Sequence, residues 1–596
     1  MWLSSRLCRA TCSPNGDACY LQHRYASILA SRILYCDGDL RRDAEQPNMS
    51  DEFLAVHGLI RRQPQAIPGV PASVASLVDH AAATYGSRPA LADRRVSYTY
   101  EQLRGAVDRA AAALHIAGVR PLDRVASCLP NTSDVVITFL ATMRLGAIWV
   151  GINTHLAVPE KCFLLADSGA SLLVATEQTI TSVRPWTAVP AIAVEITDPG
   201  SWWRDTDPAS RPQGDVDPLA PAAISYTSGT TGSPKGVVHS QHNMLLPGAA
   251  LLRRDPAALI QGVCLPLTIL NMQVLSTVQT MLNGGVIVPM DRIDAVGVAE
   301  WIQEFGVQRM YSTPPTVYDL LTRPDIDPAS LASLTHLGVG GAKCPEGLRE
   351  RYREHFGSDF GFGYGLTEAP TSVTGGAADG SAGPLGSSGV EHEQVSVTIR
   401  DADGAEVPAG DDGEICVGPT PIGYFANCYS TMLGYWDRPE ATQAALRGGV
   451  LHTGDVGRFD AEGNLWVLDR RSDLIIRGGA NVYPAEVERA VEGLSCVAEI
   501  VVVGREHPRL GEEVVGFVLP AAGAAGADLS RAVLAATCEE QLARYKWPVE
   551  WYVVEQYPRN AMGKVVKPTL RKWLETGELP EGLQAPVLLP VTGVTA

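Results

Sequence analysis

The segment best suited to chemistry is residues 226–236, which read Tyr-Thr-Ser-Gly-Thr-Thr-Gly-Ser-Pro-Lys-Gly. Glycines let backbone N–H groups approach phosphate oxygens, hydroxyls donate hydrogen bonds, and a lysine supplies positive charge. The spacing differs from the Gly-x-x-x-x-Gly-Lys-Ser/Thr of a Walker loop. The segment therefore predicts a phosphate-binding loop of another kind, with an ordinary polar turn as the alternative.

Lysine is rare in this chain, because all but seven of its 48 basic residues are arginine. A lysine supplies a compact point charge that the planar guanidinium of arginine does not reproduce. Lys235 and Lys564 are therefore informative positions. Lys564 ends residues 558–564, which read Pro-Arg-Asn-Ala-Met-Gly-Lys. The alternative for Lys564 is a small basic patch, since Lys546, Lys567 and Lys572 are its neighbours in sequence.

Three further segments combine groups that could hold a nucleotide. Residues 363–368 read Gly-Tyr-Gly-Leu-Thr-Glu and offer an aromatic ring, a hydroxyl and a carboxylate. Residues 452–455 read His-Thr-Gly-Asp, and Asp469-Arg470 opens a segment that continues to Glu486. Taken alone, each side chain could equally be a turn residue, a packed aromatic or a surface charge.

In this order, the motifs resemble those of the adenylate-forming superfamily, which includes acyl-CoA synthetases, luciferases and nonribosomal adenylation domains. The resemblance covers about residues 72 to 575. It implies an α/β fold with a large N-terminal domain of layered α/β subdomains and a small, mobile α+β C-terminal domain. It also implies that AMP is transferred to a carboxylate with loss of pyrophosphate, after which a thiol attacks the mixed anhydride.

The resemblance implies a role for each matching position. The residues expected to hold the β- and γ-phosphates are Thr227, Ser228, Gly229, Thr230, Thr231 and Lys235. Tyr364 is expected to lie against one face of adenine, with the backbone of Gly341 and Ala342 on the other. Thr367 is expected to contact the α-phosphate.

Catalytic and metal-binding roles follow from the same resemblance. Glu368 and Thr227 are the expected Mg²⁺ ligands and are counted with Lys564 as the expected catalytic residues. Lys564 is the expected adenylation catalyst, bridging the carboxylate and the α-phosphate. Asp455 is expected to accept hydrogen bonds from both ribose hydroxyls, and Arg470 is expected to reach the ribose or a phosphate.

The C-terminal segment carries two further implied roles. Gly479 is expected to let the pantetheine arm of CoA pass close to the backbone. Ser472 is the expected hinge position, where relatives usually have Asp or Lys. The implied ligands are thus ATP, Mg²⁺ and CoA, together with a small-molecule carboxylic acid.

The pattern of apolar residues predicts the helices and strands that position these groups. Thr99 and Gln102 predict a capping box before a helix. Alternating helix and strand patterns up to about residue 345 predict largely parallel sheets. Pro484 predicts the start of a helix in a separate α+β unit. We expect an AMP-binding domain over residues 49–470 and a mobile C-terminal domain over 471–596. Residues 1–48 are expected to be an extra segment, either disordered or an over-long start.

Composition excludes several protein classes. The 596 residues carry a formal net charge of −18, which argues against a nucleic-acid-coating protein. No apolar run reaches the roughly 18 residues of a transmembrane helix, and no secretory signal is evident, so a cytoplasmic location is expected. The 12 cysteines form no CxxC pair, which gives a zinc or redox motif little support. The sequence leaves the oligomeric state open, a homodimer included.

Substrate choice depends on three segments that the resemblance places at the acyl pocket, residues 264–273, 338–344 and 363–370. The first has no charged residue, which favours an apolar monocarboxylic acid of the medium-chain fatty, alicyclic or aromatic kind. An ATP-dependent acyl-CoA ligase, for example in fatty acid metabolism, is the leading hypothesis. A ligase that passes the acyl group to a carrier protein, an oxidative luciferase and a non-catalytic adenylate-binding relative are the alternatives.

Overall fold

The computed structural model describes most of the chain between Met49 and Leu589. The described residues are 49–227, 234–340, 346–376, 383–384, 386–470, 473, 475–477, 480–507, 510–521, 529–542, 544–559, 565–579 and 583–589. Contacts between residues group Ser50–Ala596 as one compact unit. The extra segment expected over residues 1–48 lies outside the described residues.

A mainly parallel sheet, called here the first sheet, carries the beginning of the candidate site. Its described strands, in spatial order, are Gly434–Tyr435, Lys235–Ser240, Pro221–Thr227, Ile148–Gly151, Arg124–Cys128, Leu172–Ala175 and Ala191–Ala193. Only the pairs made by Lys235–Ser240 are antiparallel among these strands. Leu172–Ala175 is buried along its whole length, as expected of a parallel strand with both faces covered.

The second sheet is also mainly parallel. Three of its strands, Ile260–Val263, His336–Val339 and Gly361–Phe362, lead into the predicted pocket segments. Its described strands, in spatial order, are Gly361–Phe362, His336–Val339, Arg309–Ser312, Ile260–Val263, Val286–Pro289, Pro89–Ala92 and Ser97–Thr99. All described pairs except the edge pair of Pro89–Ala92 with Ser97–Thr99 are parallel. The prediction of largely parallel sheets is therefore confirmed.

Helices cover these sheets. The described α-helices are Met49–Val56, Val74–Tyr85, Tyr100–Ile116, Ser133–Arg144, Val158–Asp167, Glu177–Val183, Gln241–Arg254, Leu270–Met272, Gln279–Asn283, Ala295–Phe305, Pro314–Thr322, Glu346–Phe356, Pro439–Ala445, Pro484–Glu492, Arg531–Gln541 and Lys567–Thr576. Shorter 3₁₀ turns are Pro208–Ser210, Pro328–Leu331, Arg447–Gly449 and Arg544–Lys546, and Gln273–Val278 is a π-helix. The capping box of Thr99 and Gln102 is confirmed at the start of Tyr100–Ile116.

A smaller antiparallel sheet, called here the third sheet, contains Asp455 and Arg470 from the remaining N-terminal motifs. Its strands are Val395–Arg400, Gly413–Pro419, Leu451–Phe459 and Leu465–Arg470. Two short ribbons lie nearby in sequence, Gly365–Leu366 paired with Thr371–Ser372 and Thr374–Gly375 paired with Val390–Glu391.

The C-terminal part is an α+β unit, as expected. Its sheet contains Ala480–Val482, Ile475–Arg477, Val497–His507, Gly511–Pro520, Glu550–Val553 and Val587–Leu588. Pro484 is the first residue of helix Pro484–Glu492, which confirms that prediction. The strand Ala480–Val482 was not expected, because so short a polar segment carries little alternation. The core of this α+β unit includes Val487, Val514 and Trp551.

Candidate active site

The two ends of the predicted phosphate loop lie side by side in the first sheet. Thr227 ends strand Pro221–Thr227 and pairs with Lys235, which begins the neighbouring antiparallel strand. A Cβ at Gly236 would lie 2.7 Å from the Ile224 side chain, so this packing requires a glycine. The predicted ligands Ser228, Gly229, Thr230 and Thr231 lie outside the described residues.

Lys235 and Glu368 both contact one aromatic residue, Tyr435. The Tyr435 hydroxyl donates a hydrogen bond of 3.0 Å to Glu368 Oε1. The Lys235 ammonium lies 5.2 Å from the centroid of the same tyrosine ring, within the range of a cation–π contact. A cation, a phenol and a carboxylate therefore form one group at the edge of the first sheet.

The described candidate metal ligands suit Mg²⁺. Thr227 and Glu368 are both half-buried and both offer oxygen donors. Mg²⁺ prefers hard oxygen ligands, one or two from the protein and the others from water or substrate phosphates. The chemistry of these two side chains is therefore compatible with a metal bound together with a nucleotide.

The backbone beside Glu368 is held by a buried histidine. Nε2 of His239 lies 2.7 Å from the Thr367 carbonyl oxygen, so this ring nitrogen carries the proton and donates. Nδ1 then accepts from the Asn243 side-chain amide at 3.4 Å. Burial lowers the pKa of His239 to about 4, which keeps the ring neutral. His239 thus fixes the main chain at one predicted α-phosphate contact.

Tyr364 and Asp455 meet directly. The tyrosine hydroxyl donates to Asp455 Oδ2 at 2.5 Å. The Tyr364 backbone is fixed by Thr374, whose hydroxyl accepts from the Tyr364 N–H at 3.0 Å. A Cβ at Gly363 would lie 2.1 Å from the Thr374 carbonyl oxygen, which explains the glycine before the tyrosine. The predicted adenine contact and the predicted ribose contact are therefore neighbours.

Asp455 lies in an irregular stretch of its strand. Two residues of Gly413–Pro419, Glu414 and Cys416, pair with Val456 and His452, so the intervening residues bulge out of the ladder. Gly454, in the bulge, has a φ of +75°, a conformation that disfavours side chains. The bulge directs Asp455 away from the regular strand path.

Glu414 holds this bulge in place. Its carboxylate accepts hydrogen bonds from His452 Nδ1 at 2.9 Å, from Arg447 at 2.8 Å and from the Gly454 N–H at 3.2 Å. Burial acts to raise the pKa of Glu414, but the hydrogen bond and charge of His452 and the charge of Arg447 lower it overall. The carboxylate is therefore ionised at neutral pH.

Glu414 also lies close to two other side chains of the metal-binding type, Cys416 and His452. Cys416 Sγ lies 3.4 Å from His452 Nδ1, and the three ligand atoms of Glu414, Cys416 and His452 lie within 4.8 Å of one another. Arg447 already pairs with the carboxylate, and burial raises the pKa of the Cys416 thiol to about 12. The cluster is therefore a hydrogen-bonded support for the bulge.

The other predicted site residues are less fully placed. Arg470 ends strand Leu465–Arg470, and its backbone pairs with Asp455 on the adjacent strand. Gly341, Ala342, Gly479 and Lys564 lie outside the described residues, as does the hinge position Ser472. Sequence reasoning missed Tyr435, His239 and Glu414. Tyr435 follows a glycine, as Tyr364 does, and this signal could have identified it; the other two carry no local signal.

Two sequence families match the chain over its main parts. The AMP-binding enzyme family matches residues 78–436, and the AMP-binding enzyme C-terminal domain matches residues 486–564. The chain belongs to the AMP-binding enzyme family. It is thus a member of a family of AMP-forming acid–CoA ligases, which bind ATP and a carboxylic acid.

Named relatives cover most of the chain. A feruloyl-CoA synthase from Amycolatopsis sp is 34% identical over 480 residues, which are 80% of this chain and 93% of that protein. The long-chain-fatty-acid–CoA ligase FadD13 of Mycobacterium tuberculosis is 31% identical over 491 residues, again 80% and 93%.

Solved structures confirm the fold. The o-succinylbenzoate CoA synthetase MenE of Bacillus subtilis, in complex with its acyl-adenylate intermediate, matches with a TM-score of 0.73 and 29% identity, over 85% of this chain and 99% of that one. The expected fold class, a large α/β domain with a small α+β domain, is therefore confirmed. In the part of the chain that the structure describes, no helix has the length and apolar character needed to span a membrane.

Proposed function

We propose that this protein activates an apolar monocarboxylic acid with ATP and then transfers the acyl group to CoA. The observation that carries the proposal is the contact between Tyr364 and Asp455. These residues come from motifs 91 positions apart, and both motifs resemble nucleotide contacts of the adenylate-forming enzymes. Stacking of the Tyr364 ring on adenine and binding of the ribose hydroxyls by Asp455 would hold one nucleoside between the two residues.

Phosphate binding and charge stabilisation are proposed for a second group of residues. Lys235 and Glu368 both contact Tyr435, so a cation and a carboxylate are held close together at the end of the predicted phosphate loop. The loop residues proposed to complete the phosphate contacts are Thr227, Ser228, Gly229, Thr230 and Thr231. Such reactions depend mostly on positioning and electrostatics, which this arrangement of charges supplies.

The C-terminal part is proposed to carry the remaining chemistry. Lys564 would stabilise negative charge as the carboxylate attacks the α-phosphorus, and Gly479 would allow passage of the CoA arm. We place the domain boundary at residue 470, between an N-terminal domain of residues 49–470 and a mobile domain of 471–596. Ser472 would be the hinge, because a hinge residue only has to absorb a change in φ and ψ.

The proposal is tested by measuring pyrophosphate release with ATP, Mg²⁺ and a panel of carboxylic acids, without CoA. Acid-dependent release is the expected result, and Lys564→Ala should lower its rate about 10²–10³-fold if the lysine acts like an oxyanion-hole donor. Lys572→Ala, at an exposed lysine of the same region, is the matched control. Nucleotide binding without release from any acid would instead support a binding-only relative.

A further inference from the structure

A loosely bonded polar pair lies between the first and second predicted pocket segments. The Tyr311 hydroxyl is 3.3 Å from both the oxygen and the nitrogen of the Gln279 side-chain amide. A well-made hydrogen bond from a hydroxyl to oxygen is about 2.7–2.8 Å long. Gln279 is buried and Tyr311 is half-buried. The pair is therefore held together weakly, and either member can exchange its partner for a ligand atom.

A third hydrogen-bonding group lies on the same helical segment. Ser276 is 1% exposed, and its hydroxyl has no hydrogen-bond partner among the described residues. An unpaired buried hydroxyl destabilises the folded chain, so such a group calls for a partner. Ser276 belongs to the π-helical stretch Gln273–Val278, directly before Gln279. Single π-helical turns within α-helices are frequent at functional sites.

Two glycines, Gly338 and Gly340, follow one another on the same side of the neighbouring chain segment. Leu337 and Val339 pack into the core on one face of the second sheet, so Gly338 and Gly340 face the other side. A Cβ at Gly338 would lie 2.5 Å from the Tyr311 ring. A Cβ at Gly340 would meet no described atom within 4 Å. The tyrosine ring therefore covers Gly338, while no described atom lies close to the Cβ position of Gly340, at the edge of the predicted pocket segment 338–344.

Charge in this region limits what the space can hold. Residues 264–283 include no Asp, Glu, Lys or Arg. Arg309, on the same face of its strand as Tyr311, is paired with Asp255. A ligand atom that reaches Tyr311, Gln279 or Ser276 would thus be polar but uncharged, such as a hydroxyl or a carbonyl oxygen. The flat face of Tyr311 suits packing against a ring.

We propose that the acyl pocket takes a ring-bearing monocarboxylic acid whose ring carries a neutral oxygen, and that Tyr311 and Gln279 bind this oxygen with Ser276 as a third contact. This inference rests on the proposed function and narrows its substrate class from apolar acids in general. Tyr311 and Gln279 act here on substrate choice and take no part in adenylation. Plain fatty acids offer no oxygen atom for these groups to bind and would react more slowly.

The test compares ring acids that differ by one hydroxyl, such as cinnamate with 4-hydroxycinnamate and benzoate with 4-hydroxybenzoate, alongside octanoate. The kcat/KM for pyrophosphate release is measured for each acid. Wild-type protein should prefer the hydroxylated member of at least one pair by about tenfold or more. Tyr311→Phe and Ser276→Ala should bring that ratio toward one while leaving the KM for ATP unchanged. Tyr318→Phe, at an exposed tyrosine, should leave the ratio as in the wild type.

Each other outcome overturns one specific claim. Turnover of ring acids with a ratio that Tyr311→Phe leaves unchanged contradicts this inference and leaves the proposed function standing. Faster turnover of octanoate than of every ring acid also contradicts this inference and leaves the proposed function standing. Absence of pyrophosphate release from every acid contradicts the proposed function itself. Thermal-shift titration with the same acid pairs gives a second readout, because the hydroxylated acid should stabilise wild-type protein more than Tyr311→Phe.

Discussion

The Tyr364 hydroxyl donates a hydrogen bond to the Asp455 carboxylate, and this contact joins the segment that follows strand Gly361–Phe362 of the second sheet to a bulged strand of the third sheet. Neither element alone could hold a nucleoside, since one supplies an aromatic face and the other a carboxylate. The contact orients both side chains before any ligand binds, so less ordering is required when ATP arrives.

Tyr364→Phe tests this orientation. The substitution keeps the ring and removes the hydrogen bond to a charged acceptor, which is worth about 1.5–3 kcal/mol. We expect the KM for ATP to rise about tenfold with a smaller change in kcat, measured by pyrophosphate release. Tyr424→Phe, at an exposed tyrosine, should behave as the wild type. An unchanged KM for ATP would show that the hydroxyl does not orient Asp455 for binding.

Glu414→Gln tests the support beneath Asp455. The amide cannot provide the charge that pairs with Arg447 or accept all three hydrogen bonds equally well. We expect a loss of about 1–3 kcal/mol in the free energy of unfolding and a raised KM for ATP. Glu440→Gln, at an exposed carboxylate of helix Pro439–Ala445, is the matched control. A destabilised protein with an unchanged KM for ATP would make Glu414 a purely structural residue.

Glu368→Gln tests the metal assignment. If the carboxylate binds Mg²⁺, its loss should raise the Mg²⁺ concentration for half-maximal rate and lower kcat about 10²–10³-fold. Tyr435→Phe should shift the Mg²⁺ requirement by less, because it removes only a hydrogen bond to Glu368. Glu393→Gln, at an exposed carboxylate, serves as the control. A Glu368→Gln enzyme with the wild-type Mg²⁺ requirement would contradict the assignment.

The lowered pKa of the buried His239 predicts that the free energy of unfolding depends on pH. Burial lowers its pKa from 6.5 to about 4, so the unfolded chain binds the proton more readily than the folded one. The free energy of unfolding should therefore fall as pH drops through 6.5 and should level off only below about pH 4. This one group contributes about 3 kcal/mol at most to that change.

His239→Gln keeps a donor for the Thr367 carbonyl and removes the titration. The difference between the two unfolding curves, measured by denaturant between pH 4 and 8, should shrink steadily as pH falls from 6.5. His242→Gln, another buried histidine on the following helix, provides a comparison because its pKa is also lowered by burial. A constant difference across this range would show that His239 does not titrate on unfolding.

Local features were predictable from the sequence. The capping box at Thr99 depends on two side chains three residues apart, and Pro484 sets the backbone of its own helix. The order of the motifs indicated the two-domain arrangement. These signals are local, or are shared with a known family, so no knowledge of distant contacts was needed.

Contacts between distant segments could not be predicted in this way. Tyr435 reaches Glu368 only because strand Gly434–Tyr435 adds to the edge of the first sheet, and a strand of two residues has almost no pattern. Glu414 acts through a bulge whose register depends on the facing strand. Tyr311 and Gln279 likewise meet between a sheet and a helix, where spacing along the chain carries no information.

The most direct test of the central claim is to identify the products formed from ATP, Mg²⁺ and a ring-bearing carboxylic acid, with and without CoA, by mass spectrometry. The proposed function predicts acyl adenylate without CoA, and acyl-CoA with AMP when CoA is present. Acyl adenylate that never becomes a thioester with CoA would contradict the proposed acceptor and point to a carrier protein. Absence of both products from every acid tested would contradict the proposed activity.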